Sequence, residues 1–354
     1  MGARHWEVRS DFYVDSRLEP SSEAQIASVV KHFKVFCLSE GIDEMSFNPH
    51  GPAQSLYFKS MQTMRTMGAF TTYLVESRGV QPSTAVKYRR TIVTQLKANL
   101  RFCPKLGHDW SWLTLLGNGL AKKFGTSKRR RDPLTPKILL KIKRLVNMNN
   151  HIERTIWALI LYLFYSVSRK GDNIPEAASK FKLGHHIVKD DLSFEQADGV
   201  RYIVVRRTKD KTSRLQNGFG GKVLPEGDSP LSAYSAITYM LEGGPCKSCE
   251  GRGSMPLFHR GDGIPITGPE LLKTLRTLLS SAGENPAHFG THSLRIGGAT
   301  LAMSCPGATE YTVKMLGYWA GDSVRLYTRP TREEMLQLGK TMMHTAAADI
   351  SIHE

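Results

Sequence analysis

Residues 291–300 read THSLRIGGAT, in which a histidine stands three positions before an arginine and a run of small residues follows. In a helix, side chains three positions apart lie on one face, so His292 and Arg295 can contact the same ligand. The small residues from Gly297 onward would let another backbone approach closely. A guanidinium beside an imidazole suits a phosphate, because the arginine binds two oxygens while the histidine handles a proton. Spacing alone does not decide this, since a capped surface helix explains most short matches of this kind.

The composition narrows the class of protein. The chain has 354 residues and a formal net charge of +16, which predicts two domains and a polyanionic partner, most simply nucleic acid. Ribosomal and membrane-surface proteins share this charge balance. The five cysteines, an odd number, do not suit a disulfide framework and indicate a reducing compartment. The longest apolar run, from Thr155, is too short to cross a bilayer, so we expect a buried helix and no membrane partner.

The first half of the chain has helical periodicity. Residues 1–20 are polar and aperiodic and are predicted to form an arm, and residues 21–126 are predicted to form a helical domain. Apolar side chains recur at spacings of three and four from Ile26 and again from Met61, where the methionines are interpreted as core filling. The helix predicted from Pro82 carries a basic stripe, which either follows a phosphate backbone or is only a solvated face. The stripe consists of Lys87, Arg90, Lys97 and Arg101.

A basic segment separates the two halves of the chain. Residues 127–134 are predicted to be a linker, because Asp132-Pro133 breaks regular structure and Thr135-Pro136 begins a new helix. The basic run could contact DNA, act as a nuclear-import signal or keep the linker soluble. Its cations are Lys128, Arg129, Arg130 and Arg131.

The second half mixes helical and strand patterns. The stretch RYIVVRRTK from Arg201 is typical of a strand, and GGKVLP from Gly220 is a partner after a polar turn. The remaining periodic segments are helical. The predicted fold is therefore mainly α with a small antiparallel β-sheet.

Cationic and aromatic residues lie at the ends of these predicted elements. The buried helix ends in SVSRKGDNIPE, the first strand ends in the cationic turn RRTKDKTSR, and residues 316–330 read LGYWAGDSVRLYTRP. With the histidine–arginine pair, they give one ordered series. In chain order its members are Arg169, Asp172, Lys209, Lys211, His292, Arg295, Tyr318, Trp319 and Tyr327.

This series resembles the tyrosine recombinase (phage integrase) family, whose members have an arginine, a hairpin lysine, His-x-x-Arg, Leu-Gly-aromatic and a tyrosine in that order. The resemblance spans the chain and implies a helical core-binding domain over residues 21–126 and an α+β catalytic domain over residues 135–330. The aromatic-rich ending is most similar to recombinases of eukaryotic mobile elements such as Cryptons and DIRS-like retroelements. The implied activity is site-specific cutting and rejoining of DNA through a covalent 3′-phosphotyrosine, with no ATP, metal or other cofactor.

The resemblance also implies roles for individual residues. Arg169 and Arg295 would clamp the reacting phosphate, and Asp172 would orient the first arginine. Tyr327 would be the nucleophile, and His292 would exchange its proton.

Two catalytic positions stay open. Lys209 or Lys211 would protonate the leaving 5′ oxygen, and Lys209 fits the family hairpin better, which leaves Lys211 as a DNA contact. At the family's sixth position, usually His or Trp, counting back nine residues from the tyrosine gives Tyr318, whereas residue type favours Trp319. Either side chain would donate to the phosphate or buttress the nucleophile.

The resemblance further implies the partners. These are double-stranded DNA and other copies of the chain, as a tetramer on two DNA sites and a monomer or dimer off DNA. Residues 331–354 open with a capping-box pattern and are predicted to form a helix that docks on a neighbouring protomer or folds back on its own domain. We expect the nucleus as location in a eukaryote and the cytoplasm or nucleoid otherwise. The alternatives are a type IB topoisomerase and a domesticated, non-catalytic DNA-binding protein.

One cysteine motif raises the question of a metal site. Cys246 and Cys249 in CKSCEGRG resemble half of a zinc site. Zinc needs four ligands, and His259 is the nearest further candidate in the sequence. The motif is therefore interpreted as a glycine-rich turn, and no metal site is predicted.

Overall fold

The structure, a computed structural model, describes residues 20–42, 56–100, 109–125, 131–206, 221–242, 253–319 and 324–325. The chain divides into two compact units, Met1–Lys128 and Arg129–Glu354.

The described part of the first unit is helical. Its helices are α1 (Pro20–Ser39), α2 (Leu56–Glu76), α3 (Pro82–Leu100) and α4 (Ser111–Phe124). Helix α2 packs against α3 and α4, and α1 packs against α2 and α3. The core centres on Phe70, whose ring centroid lies 5.1 Å from that of Phe33 and 5.4 Å from that of Phe36. Met67 is fully buried beside them, which confirms that the methionines fill the core.

Helix α4 lies within the predicted helical domain of residues 21–126, but the sequence analysis identified no apolar periodicity for it. It contains Gly117 and Gly119, and glycine is a poor helix former in isolation. Tertiary contacts hold it in place: the guanidinium of the buried Arg89 on α3 donates to the carbonyl of Leu113 at 2.9 Å. Lys122 and Lys123 lie in the last turn of α4, before the predicted linker.

The second unit combines helices with one sheet. Its elements are α5 (Pro136–Lys143), α6 (His151–Tyr165), β1 (Leu192–Ala197), β2 (Val200–Val205), β3 (Lys222–Pro225), α7 (Ala233–Glu242), α8 (Gly268–Ser281), α9 (Thr291–Ser304) and α10 (Glu310–Gly317). Helix α6 packs against α7 and α9, and α9 packs against α8 and α10. Among the described residues no helix is long and apolar enough to cross a membrane.

The sheet is antiparallel with strand order β1-β2-β3, and Val205 at the end of β2 pairs with Lys222 at the start of β3. The two predicted strands are β2 and β3, and β1 is an addition to them. No residue of β1 is buried, and the alternation of apolar and polar residues in LSFEQA ends after Glu195, so the strand pattern is weak. The available signal was Asp198-Gly199, a dipeptide typical of two-residue hairpin turns, and both residues have positive φ.

Helix α6 is the centre of the second core. Trp157, Tyr162 and Phe164 are almost completely buried on it, as expected for the predicted buried helix. It begins at Asn150, whose side chain accepts hydrogen bonds from two backbone amides of the first turn, and ends at Tyr165. The helix therefore carries the chain through the core to the residues just before Arg169.

Helix α9 packs backbone against backbone, as the small residues in THSLRIGGAT predicted. A β-carbon on Gly297 would lie 1.9 Å from the carbonyl oxygen of Leu134, and one on Gly298 would lie 2.0 Å from that of Phe164. Real atoms do not approach this closely, so both positions require glycine. Glycine at this crossing sets how near α9 comes to the end of α6.

We predict that Gly298→Ala destabilises the protein. Alanine favours a helix over glycine by about 1 kcal/mol, but overpacking against a backbone oxygen costs about 3 kcal/mol or more. The free energy of unfolding, measured by urea denaturation, should therefore fall by about 2 kcal/mol. Gly227→Ala is the matched control, since a β-carbon there meets no atom within 4 Å. An unchanged unfolding midpoint for Gly298→Ala would contradict the close packing.

Candidate active site

The chain leaves α6 through a strained residue. Val167 has φ of +50°, a left-handed conformation that is rare for a β-branched side chain. Its side chain is fully buried in a small cluster with Ala299, Val313, Trp319 and Val324. The buried contacts hold the strained backbone, whose carbonyl thereby points to α9.

The side chain of Arg295 donates a hydrogen bond to that carbonyl oxygen. Its Nη1 donates to the carbonyl oxygen of Val167 at 2.5 Å, and its Nη2 donates to that of Gly317, at the end of α10, at 2.8 Å. The guanidinium carbon lies 4.1 Å from the ring centroid of Trp319. Arg295 is only 2% exposed. Two carbonyls from different elements and one aromatic face therefore fix the plane of this guanidinium.

Arg169 lies two residues after the strained position. Its Nη1 is 3.8 Å from Oδ2 of Asp172, and the arginine side chain is 37% exposed whereas the aspartate side chain is 12% exposed. Asn173 donates from Nδ2 to the carbonyl oxygen of Arg169 at 2.6 Å. Asp172 thus pairs with Arg169 from the protein side and leaves part of the guanidinium accessible to solvent.

His292 lies in the first turn of α9 and is exposed. The amide of Gly290 donates to Oγ of Ser293 at 3.1 Å, which caps this turn. Arg295, one turn further on, faces the core. The two side chains therefore differ in exposure, and their joint contact with one phosphate stays a prediction.

The two aromatic residues after α10 have different neighbours. Tyr318 ends the helix in a left-handed conformation with φ of +51°. The Nζ of Lys222 lies 3.5 Å from the centroid of its ring, whereas Trp319 covers Arg295. Trp319 is thus the aromatic side chain that contacts a predicted phosphate-binding residue.

Lys222 was missed by the sequence analysis. It is 6% exposed, and its ammonium also donates to the carbonyl oxygen of Leu316 in α10. A single lysine at the start of a strand carries no sequence signal, because its partners lie about 95 positions away in the chain. The prediction of a catalytic lysine was confined to Lys209 and Lys211.

The basic stripe on α3 is exposed where the structure describes it. Lys87 and Arg90 both face solvent, and Lys97 lies in the same helix. Arg131 is exposed in the second unit, and its Nη1 donates to the carbonyl oxygen of Ala287 at 2.5 Å.

Several predicted residues lie outside the described residues. They include the predicted N-terminal arm except Pro20, both candidate general acids, the predicted nucleophile, three of the four cations of the basic linker, the predicted C-terminal helix and the cysteine motif. These are residues 1–19, Lys209, Lys211, Tyr327, Arg101, Lys128, Arg129, Arg130, residues 331–354, Cys246 and Cys249.

Two histidines meet at the start of α6. The ring centroids of His151 and His259 are 5.8 Å apart. Burial lowers the pKa of His151, and the charge of Arg154 lowers it further; burial also lowers the pKa of His259, with a contribution from His151. Across the ranges that the structure covers, no group of three possible metal ligands occurs.

We predict that this histidine pair makes stability depend on pH. Both imidazoles have a pKa below the value of about 6.5 expected in the unfolded chain, so the unfolded chain binds more protons below that pH. The free energy of unfolding should fall as the pH is lowered from 7.5 through 6.5 to 5.5. The double variant His151→Gln/His259→Gln should lose less stability over this range in urea denaturation, whereas equal losses would contradict the assignment.

Comparisons with known proteins identify the fold. No family model and no curated protein matches the sequence. A structure of the Tn1549 transposon integrase in complex with a circular intermediate DNA matches over 94% of this chain and 97% of that chain, with a TM-score of 0.54 and 10% identity. A structure of the same integrase with transposon right end DNA matches over 95% and 98%, with a TM-score of 0.53 and 10% identity.

Lambda integrase, in a structure of a dimer bound to a core site, matches over 93% of this chain and 96% of that chain, with a TM-score of 0.46 and 14% identity. At 10% identity, the match to the Tn1549 integrase shows a shared fold rather than a shared activity. This chain therefore has the fold of the Tn1549 integrase, a helical domain followed by a mainly α-helical domain with a small antiparallel sheet.

Proposed function

We propose that this protein is a site-specific recombinase that cuts and rejoins DNA through a covalent 3′-phosphotyrosine. One observation carries the proposal: Arg295 is bound to the backbone of Val167, two residues before Arg169, in a fold shared with the Tn1549 integrase. This contact supports a common site for the two arginines that the family resemblance assigns to the phosphate, although 126 positions separate them in the sequence.

The clamp chemistry follows from the properties of arginine. When a phosphodiester is attacked, negative charge grows on its non-bridging oxygens, and a planar guanidinium can bind two such oxygens at once. Arg169 is oriented by Asp172, and Arg295 is oriented by two backbone carbonyls. This orientation before the reaction matters, because hydrogen-bond donors that already point at the phosphate need no reorganisation in the transition state.

The proposed reaction moves one proton at each end of the phosphate. The hydroxyl oxygen of Tyr327 attacks phosphorus and its proton passes to His292, while the bond to the 5′ oxygen breaks and that oxygen takes a proton from Lys209 or Lys211. Because the phosphotyrosine keeps the energy of the broken ester bond, the reverse step reseals the strand. The scheme requires no metal ion or other cofactor.

Partners and origin belong to the same proposal. The net charge of +16 and the exposed cations Lys87 and Arg90 support double-stranded DNA as the partner. The family resemblance supports a tetramer on two DNA sites. The aromatic-rich segment that contains Tyr318 and Trp319 supports a mobile element of the Crypton or DIRS-like kind, and hence a nuclear location in a eukaryotic host.

We predict that Tyr327→Phe abolishes covalent attachment to DNA but leaves binding intact, because only the nucleophilic oxygen is removed. The measurement is a denaturing gel of protein incubated in EDTA with nicked DNA that carries the target site. Wild type should give a denaturant-resistant adduct in EDTA. Tyr311→Phe is the matched control, since Tyr311 is 65% exposed on α10 and should retain the adduct.

Adduct formation by Tyr327→Phe would assign the nucleophile to another residue. Loss of the wild-type adduct in EDTA and its return with a divalent metal would contradict the metal-free scheme.

We predict that Lys87→Ala/Arg90→Ala weakens DNA binding through loss of phosphate contacts. Each contact contributes a slope of about 0.9 in log Kd against log salt concentration, so the slope should fall by about 2. Lys31→Ala/Lys34→Ala is a charge-matched control, because these exposed lysines lie on α1 rather than on the stripe. An equal loss of slope in both double variants would indicate general charge attraction instead of a binding stripe.

A further inference from the structure

The end of α10 accepts two buried cations on consecutive carbonyls. The carbonyl oxygen of Leu316 accepts from Nζ of Lys222, and that of Gly317 accepts from Nη2 of Arg295 at 2.8 Å. Carbonyls at a helix C-terminus have no partner within the helix and carry the negative end of its dipole. Lys222 and Arg295 therefore share one acceptor group, although they come from β3 and α9.

The next two residues, Tyr318 and Trp319, contact the same two cations through their aromatic rings. The Nζ of Lys222 lies 3.5 Å from the ring centroid of Tyr318, and the guanidinium carbon of Arg295 lies 4.1 Å from that of Trp319. A cation over an aromatic face is held most strongly where water is excluded. Both rings are buried, at 9% and 4% exposure, so both contacts are of that kind.

The location of Lys222 connects this arrangement to the β2–β3 hairpin. Lys222 pairs with Val205 across the two strands, at the base of the connection that contains both candidate general acids. Gly221 precedes it with φ of +121°, and a β-carbon there would lie 2.6 Å from the carbonyl oxygen of Val205. The backbone at the base of the hairpin is thus fixed at the same place where Lys222 reaches α10.

We propose that Lys222 is a positioning residue, which fixes the end of α10 and through it the guanidinium of Arg295. The ring of Tyr318, rather than its hydroxyl group, completes the contact. The positioning itself is a property of the folded chain, and only its effect on DNA cleavage rests on the proposed function.

The first test measures whether Arg295 stays protected. Phenylglyoxal modifies exposed arginines, and peptide mass spectrometry reports the labelling of Arg295 relative to the half-exposed Arg169 in the same sample. Lys222→Met should raise the relative labelling of Arg295 by about tenfold or more, since a buried cation–π contact and a hydrogen bond are lost together. Lys273→Met, at an exposed lysine on α8, is the matched control and should leave it unchanged.

A second pair of variants separates the ring from the hydroxyl group. Tyr318→Leu should raise the labelling of Arg295 as Lys222→Met does. Combining the two substitutions should add little, because the contact between Lys222 and Tyr318 is lost in either single variant. Tyr318→Phe keeps the ring and should keep the protection. These two Tyr318 variants also test the proposal if Lys222→Met does not fold.

The cleavage test distinguishes positioning from proton donation. On nicked DNA, Lys222→Met should form adduct about tenfold more slowly than wild type, a difference of about 1.4 kcal/mol in the barrier. Replacing the leaving 5′ oxygen with sulfur removes the need for an acid, because a thiolate leaves without protonation. Sulfur should restore a variant that lacks the general acid, for which Lys209→Met and Lys211→Met are the references, but it should not restore Lys222→Met.

The outcomes are separable. Unchanged Arg295 labelling in Lys222→Met and Tyr318→Leu would overturn the proposal, and so would full restoration of Lys222→Met by sulfur, which would make Lys222 the acid itself. Raised Arg295 labelling in a protein whose wild type forms no adduct would support the positioning role and contradict the recombinase function alone.

Discussion

Burial of the Arg295 guanidinium is the constraint on which the rest of the candidate site depends. A buried charge is unfavourable unless polar partners replace water, and here the partners are the carbonyls of Val167 and Gly317 and the face of Trp319. These partners come from the ends of α6 and α10, so one side chain joins two elements to α9. The close approach of α9 to α6 in turn requires glycine at position 298. Packing and chemistry are therefore set by the same helix.

Backbone strain is concentrated around this guanidinium. Among the described residues, the non-glycine positions with positive φ are Val167, Asp198 and Tyr318, and two of these three flank Arg295. Such conformations cost about 1–3 kcal/mol each and persist only where the surroundings impose them. The buried cluster around Val167 holds its backbone in this conformation, and the cation above the ring of Tyr318 does the same there. The strain aims two backbone carbonyls at one cation, which is a geometry suited to holding an arginine rigid for a phosphate.

The amino-acid sequence predicted the features that depend on local pattern. The starts of α3 at Pro82 and of α5 at Pro136 followed from their cap residues, the burial of α6 from its apolar run, and the α9 crossing from Gly297 and Gly298. Features that depend on distant residues could not be predicted in the same way. Helix α4 is held by contacts such as that of Arg89, and β1 has no buried residue. The burial of Arg295 and the partners of Lys222 exist only once three elements have assembled. The order of chemical residue types, through the family resemblance, predicted the fold, which the Tn1549 integrase shares.

The most direct test of the central claim is the rate of covalent adduct formation by Arg295→Lys. Lysine keeps the positive charge but cannot replace a planar fork that bonds two backbone carbonyls and stacks on Trp319. We predict that the rate on nicked DNA falls by about a hundredfold or more while DNA affinity stays within a few-fold of wild type. Adduct formation at the wild-type rate by a stably folded Arg295→Lys protein would contradict the claim that this guanidinium organises the site.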